Sequence, residues 1–160
     1  MTRAILINLL GLFATVCVAL AQPHVDDGLL IAARKALPQD ISTNEIVRAL
    51  STGLWNTNRT ALAIAIPKPK ASVLFVFLRQ PGGKYLAVDV SGMEGCNFGY
   101  PGTRREGYDR FETTPVEWLR REDGQLQVRM RTRAWKGRQR YTASGGGTCV
   151  IKPDGTTLWQ

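Results

Sequence analysis

Two hydrophobic periods run along this chain, and the change from one to the other organises it. Leu29, Leu30, Ala33 and Leu37 fall on one side of a helix over Gly28 to Ala36, which Pro38 ends. Ser42-Thr43-Asn44-Glu45 is a capping box: the Ser42 hydroxyl accepts from the Glu45 amide while the Glu45 carboxylate reaches back to the Ser42 amide. Ile46, Val47, Leu50 and Leu54 follow at helical spacing, and Gly53 suits the stop. This pattern predicts an amphipathic helix lying on a sheet.

From Ala61 the period becomes two. Leu62, Ile64 and Ile66 share one face of a strand, and Ala61, Ala63 and Ala65 share the other. Ser72 to Leu78 is apolar after its first residue, as a central strand covered on both faces is. Pro81-Gly82 marks a turn before a strand over Tyr85 to Val90. Ser91 to Phe111 breaks the rhythm, with Phe98, Tyr100 and Tyr108 set among glycines, and reads as a long loop tethered at Cys96. Strands are expected over Pro115 to Leu119, Gln127 to Trp135 and Arg138 to Ala143, with a three-residue loop at Glu122-Asp123-Gly124. Thr148 to Lys152 and Thr156 to Trp159 form a last hairpin around Pro153-Asp154-Gly155. Helices followed by antiparallel strands predict an α+β domain, with one or two N-terminal helices on a curved sheet of about seven strands.

The N-terminus changes the picture by placing the chain outside the cytoplasm. Met1-Thr2-Arg3 is positive, Ile5 to Leu20 is apolar apart from Asn8 and Thr15, and Ala19-Leu20-Ala21 offers small residues for cleavage before Gln22. That is the pattern of a signal peptide over residues 1–21, followed by a single domain over 22–160 with no membrane span after cleavage. Val16 before Cys17 is not the small residue that lipoprotein processing wants, so lipidation of Cys17 is a minor alternative. Export makes the two remaining cysteines, Cys96 and Cys149, an expected disulfide. Nothing favours a eukaryotic host over a bacterial one, so the Asn58-Arg59-Thr60 glycosylation triplet carries little, and the periplasm is the expected destination.

Charge adds the one candidate surface. The net charge of +8 falls to +7 when Arg3 leaves with the leader. Residues 128–141 hold six cations and no acid. Period two sends Val128, Met130, Thr132 and Ala134 inward, and Arg129, Arg131, Arg133 and Trp135 outward. A two-residue turn at Lys136-Gly137 would set Trp135 opposite Arg138, Arg133 opposite Arg140 and Tyr141 opposite Thr132. The loop at 122–124 would set Glu117 opposite Arg129. Arg131, Arg133, Trp135, Arg138 and Arg140 thus form a candidate binding face, with Phe98, Tyr100 and Tyr108 as loop anchors. Arginine facing arginine across a strand pair is destabilising, so such a face needs a reason: solubility and protection of a sheet surface, or a complementary acidic partner. Arginine and tryptophan are enriched at binding hot spots.

Catalytic equipment is sparse. The one histidine, His24, lies three residues into the mature chain, where no core can fix it for nucleophilic catalysis. One histidine and two disulfide-bound cysteines make no metal cluster, and no cofactor is implied. The glycines of 91–111 lack the Gly-Lys-Ser/Thr ending of a phosphate cradle. Asp89, Glu94, Asp109 and Glu112 could supply the two carboxylates of a small hydrolase. The chain therefore reads as an exported, non-enzymatic binding protein. Its partner would be an acidic protein or, as the alternative, an anionic envelope glycan or lipid headgroup, since export argues against nucleic acid. A small exported α+β domain of this kind resembles periplasmic inhibitors and immunity proteins in plan only.

Overall fold

Ser42 opens the second helix as its sequence requires. In the computed structural model its hydroxyl accepts from the Glu45 amide at 3.3 Å, and the Glu45 carboxylate accepts from the Ser42 amide at 2.9 Å. A cap of this kind contributes about 1 kcal/mol. The structure describes residues 25–69, 71–91, 110–119, 123, 125–136, 138–141 and 147–160. Residues 1–24, which hold the expected signal peptide and His24, and most of the 91–111 segment, including Cys96, Phe98, Tyr100 and Tyr108, lie outside the described residues.

Helices α1 (Asp27–Ala36) and α2 (Thr43–Thr52) bury Leu29, Ala33, Ile46, Ala49 and Leu50. Leu54 does not extend the α2 stripe. It begins a two-residue strand, β1 (Leu54–Trp55), and Val47 is exposed on α2. Gly53 ends α2 at φ −64°, so the left-handed conformation is not its reason. A Cβ there would sit 2.6 Å from Leu62 Cδ1 and 2.9 Å from Ile64 Cγ2, so glycine is required by the close approach of helix end to strand.

Strands β1, β2 (Ala61–Ile66), β3 (Val73–Arg79) and β4 (Tyr85–Asp89) form one antiparallel sheet in that order. A second antiparallel sheet holds β5 (Arg110–Leu119), β6 (Leu126–Lys136), β8 (Thr148–Ile151) and β9 (Thr157–Trp159) in that order, with β7 (Gln139–Tyr141) also paired to β6. The α+β expectation holds. The single curved sheet does not: among the described residues nine strands divide into two sheets.

The physical reason is the double apolarity of β2 and β3. Leu62, Ile64, Ile66, Phe75 and Phe77 pack under the helices. The opposite face, Ala61, Ala63, Leu74, Val76 and Leu78, packs against Val128, Met130, Cys149 and Ile151 of the second sheet. Helices cover one side and the second sheet covers the other, giving three layers with β2 and β3 at the centre. Burying a side chain such as Phe77 stabilises by about 1.5–3 kcal/mol relative to leaving it in water.

Strand β5 begins at Arg110, so the expected loop ends before Phe111. A bulge between Pro115 and Glu117 admits the proline, whose missing N–H a regular ladder would not tolerate.

Candidate binding surfaces

The outer face of the second sheet is built by strict alternation on β6. Val128, Met130, Thr132 and Ala134 are buried, while Arg129 and Arg131 are exposed and Arg133 and Trp135 half-buried. The β5–β6 register sets Glu117 opposite Arg129 as expected, and the two side chains form an ion pair. Trp118 faces inward opposite Val128. An unbroken register would set Val116 opposite Met130, but Val116 is the bulged residue, so Pro115 opposes Met130.

The β6–β7 hairpin differs from expectation. Trp135 pairs with Arg140, Lys136 with Gln139 and Ala134 with Tyr141. With Lys136 and Gln139 as the innermost pair, the hairpin closes one residue later than expected, and the register moves by two. Arg140 lies opposite Trp135 in the register, while Arg138 moves into the turn, where it is exposed. Arg133 does not face Arg140. Its other neighbour, on β5, is Glu112, and the like-charge conflict becomes an opposite-charge pairing across the strands.

Two further contacts shape this face. Arg110 pairs with Glu112 at 3.5 Å, and its guanidinium lies 4.8 Å from the centroid of the Trp135 ring. Arg131, opposite Thr114, and Arg133 form no ion pair among the described residues. The face is thus positive but patterned, with glutamates at two fixed positions among the arginines.

Cys149 corrects the disulfide. It is a free thiol, fully buried against the first sheet. Inward parity on β8, opposite Val128, directs it into the sheet–sheet core. Desolvation there pushes its pKa from 9.0 up to about 12. Of the loop carboxylates, Asp89 accepts from the Ser91 amide at 2.8 Å and Glu112 is held by Arg110, while Glu94 and Asp109 lie outside the described residues. Among the described residues no cluster of three or more His, Cys, Asp or Glu side chains is placed to hold a metal, and no helix is long and apolar enough to cross a membrane.

A second concave surface escaped the sequence reading. A cleft of about 260 Å³ opens where α1, the end of α2, β1 and the β3–β4 hairpin meet. Leu29 and Leu50 form part of its lining, with Trp55 and Tyr85 as aromatic walls and Arg59, Arg79 and Asp26 as charges. The Tyr85 hydroxyl donates to Asp26 at 3.1 Å. Burial, then this carboxylate, raises the Tyr85 pKa, with Arg79 opposing. Arg79 and Tyr85 are cross-strand partners, a juxtaposition readable from the hairpin turn between them.

Comparison of the chain with protein-family models, with curated proteins and with solved structures returned no match.

Proposed function

We propose that the protein is an exported, non-enzymatic binding protein that docks an acidic protein partner on the outer face of its second sheet. The observation that carries this reading is that Arg131 and Arg133 share one strand face beside Trp135 and form no ion pair among the described residues. Arg138 extends the positive charge into the β6–β7 turn. Concentrated positive charge speeds encounter with an acidic surface, and arginine beside tryptophan suits the desolvated centre of an interface. Export rests on the positive start, the apolar run from Ile5 to Leu20 and the Ala19-Leu20-Ala21 ending.

Glu112 and Glu117 favour a protein partner over an envelope glycan or lipid headgroup. A uniform polyanion gains from every cation and is repelled by each fixed carboxylate, whereas a protein surface can complement a mixed pattern. The test compares the wild-type protein with an Arg131→Glu plus Arg133→Glu variant as bait in periplasmic extract, and in co-sedimentation with peptidoglycan and with anionic vesicles. The reading expects an acidic protein retained by wild type, released by salt and lost from the variant. Equal retention by both baits, or sedimentation with the polyanions in place of any protein, would overturn it.

A further inference from the structure

We propose that the cleft between α1, β1 and the β3–β4 hairpin is a binding site for a small aromatic carboxylate, separate from the basic sheet face. The charge inventory of the cleft points to an anion. Arg59 and Arg79 line it, and neither forms an ion pair among the described residues. Asp26, the one carboxylate in the lining, is already engaged. One oxygen caps α1 by accepting from the Gly28 amide at 2.8 Å, and the other accepts from the Tyr85 hydroxyl at 3.1 Å. The cleft is left with one net positive charge, the complement of a monoanion. A planar guanidinium matches a carboxylate with two parallel hydrogen bonds.

The walls point to the rest of the ligand. Trp55 and Tyr85 are both half-buried, and both line the cleft together with Leu29 and Leu50. An apolar lining with a few convergent polar groups is the usual construction of a small-molecule site. About 260 Å³ suits a single ring bearing one carboxylate.

Arg59 supplies the independent sign. It is the one non-glycine residue with positive φ among the described residues, at +53°. Asparagine or glycine fits that backbone at less cost, and Asn58 stands one position away. The turn that carries Arg59 is braced. Buried Asn56 accepts from the amides of Thr60 at 2.8 Å and Ala61 at 3.1 Å, and its Nδ2 donates to Thr60 Oγ1 at 2.8 Å. Arg59 is thereby held near the Trp55 ring, 5.9 Å from its centroid, on a loop ordered before any ligand arrives. A strained arginine on a braced turn at a cleft is accounted for by a ligand rather than by local stability.

Calorimetric titration of the full chain with benzoate, and with benzamide as the neutral isostere, tests the site. Saturable benzoate binding is expected, weakened about tenfold or more in benzamide, in Arg79→Gln and in Arg59→Asn, the scale of one charge-assisted hydrogen bond. Asp26→Asn keeps a good helix cap and removes the competing charge, so it should bind benzoate several-fold tighter. Arg59→Asn should melt no lower than wild type. Benzoate and benzamide binding alike, or not at all, would overturn the proposal. So would unchanged affinity in Arg79→Gln, no gain in Asp26→Asn, or a fall in melting temperature of Arg59→Asn, which would make stacking on Trp55 the purpose of that arginine.

Discussion

Trp118 on β5 donates its indole N–H to the carbonyl oxygen of Leu54 on β1 at 2.9 Å, and so ties the edge of one sheet to the edge of the other. The ring also packs with the sheet–sheet core beside Leu54. Trp118→Phe keeps most of the apolar area and removes the donor. Urea unfolding should show a loss of about 1–2 kcal/mol, the net worth of one hydrogen bond with some lost packing. A variant as stable as wild type would mean that the tie contributes nothing.

Thr113 and Thr132 form a buried hydroxyl pair at 2.9 Å, facing each other across β5 and β6. Either single change to valine leaves the other hydroxyl short of a partner, at a cost of about 1–3 kcal/mol. Changing both removes the need. The Thr113→Val plus Thr132→Val protein should be more stable than the sum of the single losses predicts, in a double-mutant cycle read by denaturant unfolding. Strict additivity would show that the hydroxyls do not depend on each other.

The features legible in the sequence are those decided locally. The Ser42–Glu45 box needs four consecutive residues, and it formed as written. The alternation of Ala61 to Ile66 needs six, and its two faces pack as two different layers. The Glu117–Arg129 pairing follows from one hairpin loop. The β6–β7 register is not fixed by the sequence, because a glycine suits the first or the second position of a two-residue turn equally well and local chemistry does not choose. The division into two sheets lay beyond pattern reading, since a covered face does not say whether a helix or a strand covers it. The cleft was equally hidden: Asp26, Trp55, Arg59, Arg79 and Tyr85 come from separate elements and meet only in the folded chain.

Gly53 offers a test of how tightly α2 seats on β2. Alanine restores a favourable backbone, yet its Cβ would lie 2.6 Å from Leu62 Cδ1 and 2.9 Å from Ile64 Cγ2, both fully buried side chains with little room to move. Overpacking should dominate, destabilising Gly53→Ala by about 1–3 kcal/mol. Gly82 has φ +79° and nothing within 4 Å of an added Cβ, so Gly82→Ala isolates the backbone term for comparison. A Gly53→Ala protein as stable as wild type would show that the close approach is not the reason for glycine there.

Cys149 predicts a specific alkaline instability. Its folded pKa of about 12 lies above the ordinary 9.0 because burial penalises the thiolate. Below pH 9 both folded and unfolded chains hold the thiol proton, and the group adds no pH dependence. Above pH 9 the unfolded chain releases that proton while the folded chain retains it, so unfolding is favoured by about 1.4 kcal/mol for each pH unit until the folded pKa is reached. Other groups titrate in the same range, so the slope must be read as a difference. Cys149→Ala should be less stable than wild type at pH 8 because it leaves a small void, yet the gap should narrow as pH rises from 9 towards 12. With Cys17 and Cys96 replaced by serine, the Cys149 thiol should at pH 8 also resist an aromatic disulfide reagent until denaturant is added, since the thiolate is the reacting form and the sulfur is buried. Parallel stability profiles for the two proteins above pH 9, or rapid labelling in the native state, would show that the Cys149 thiol is not sealed between the sheets.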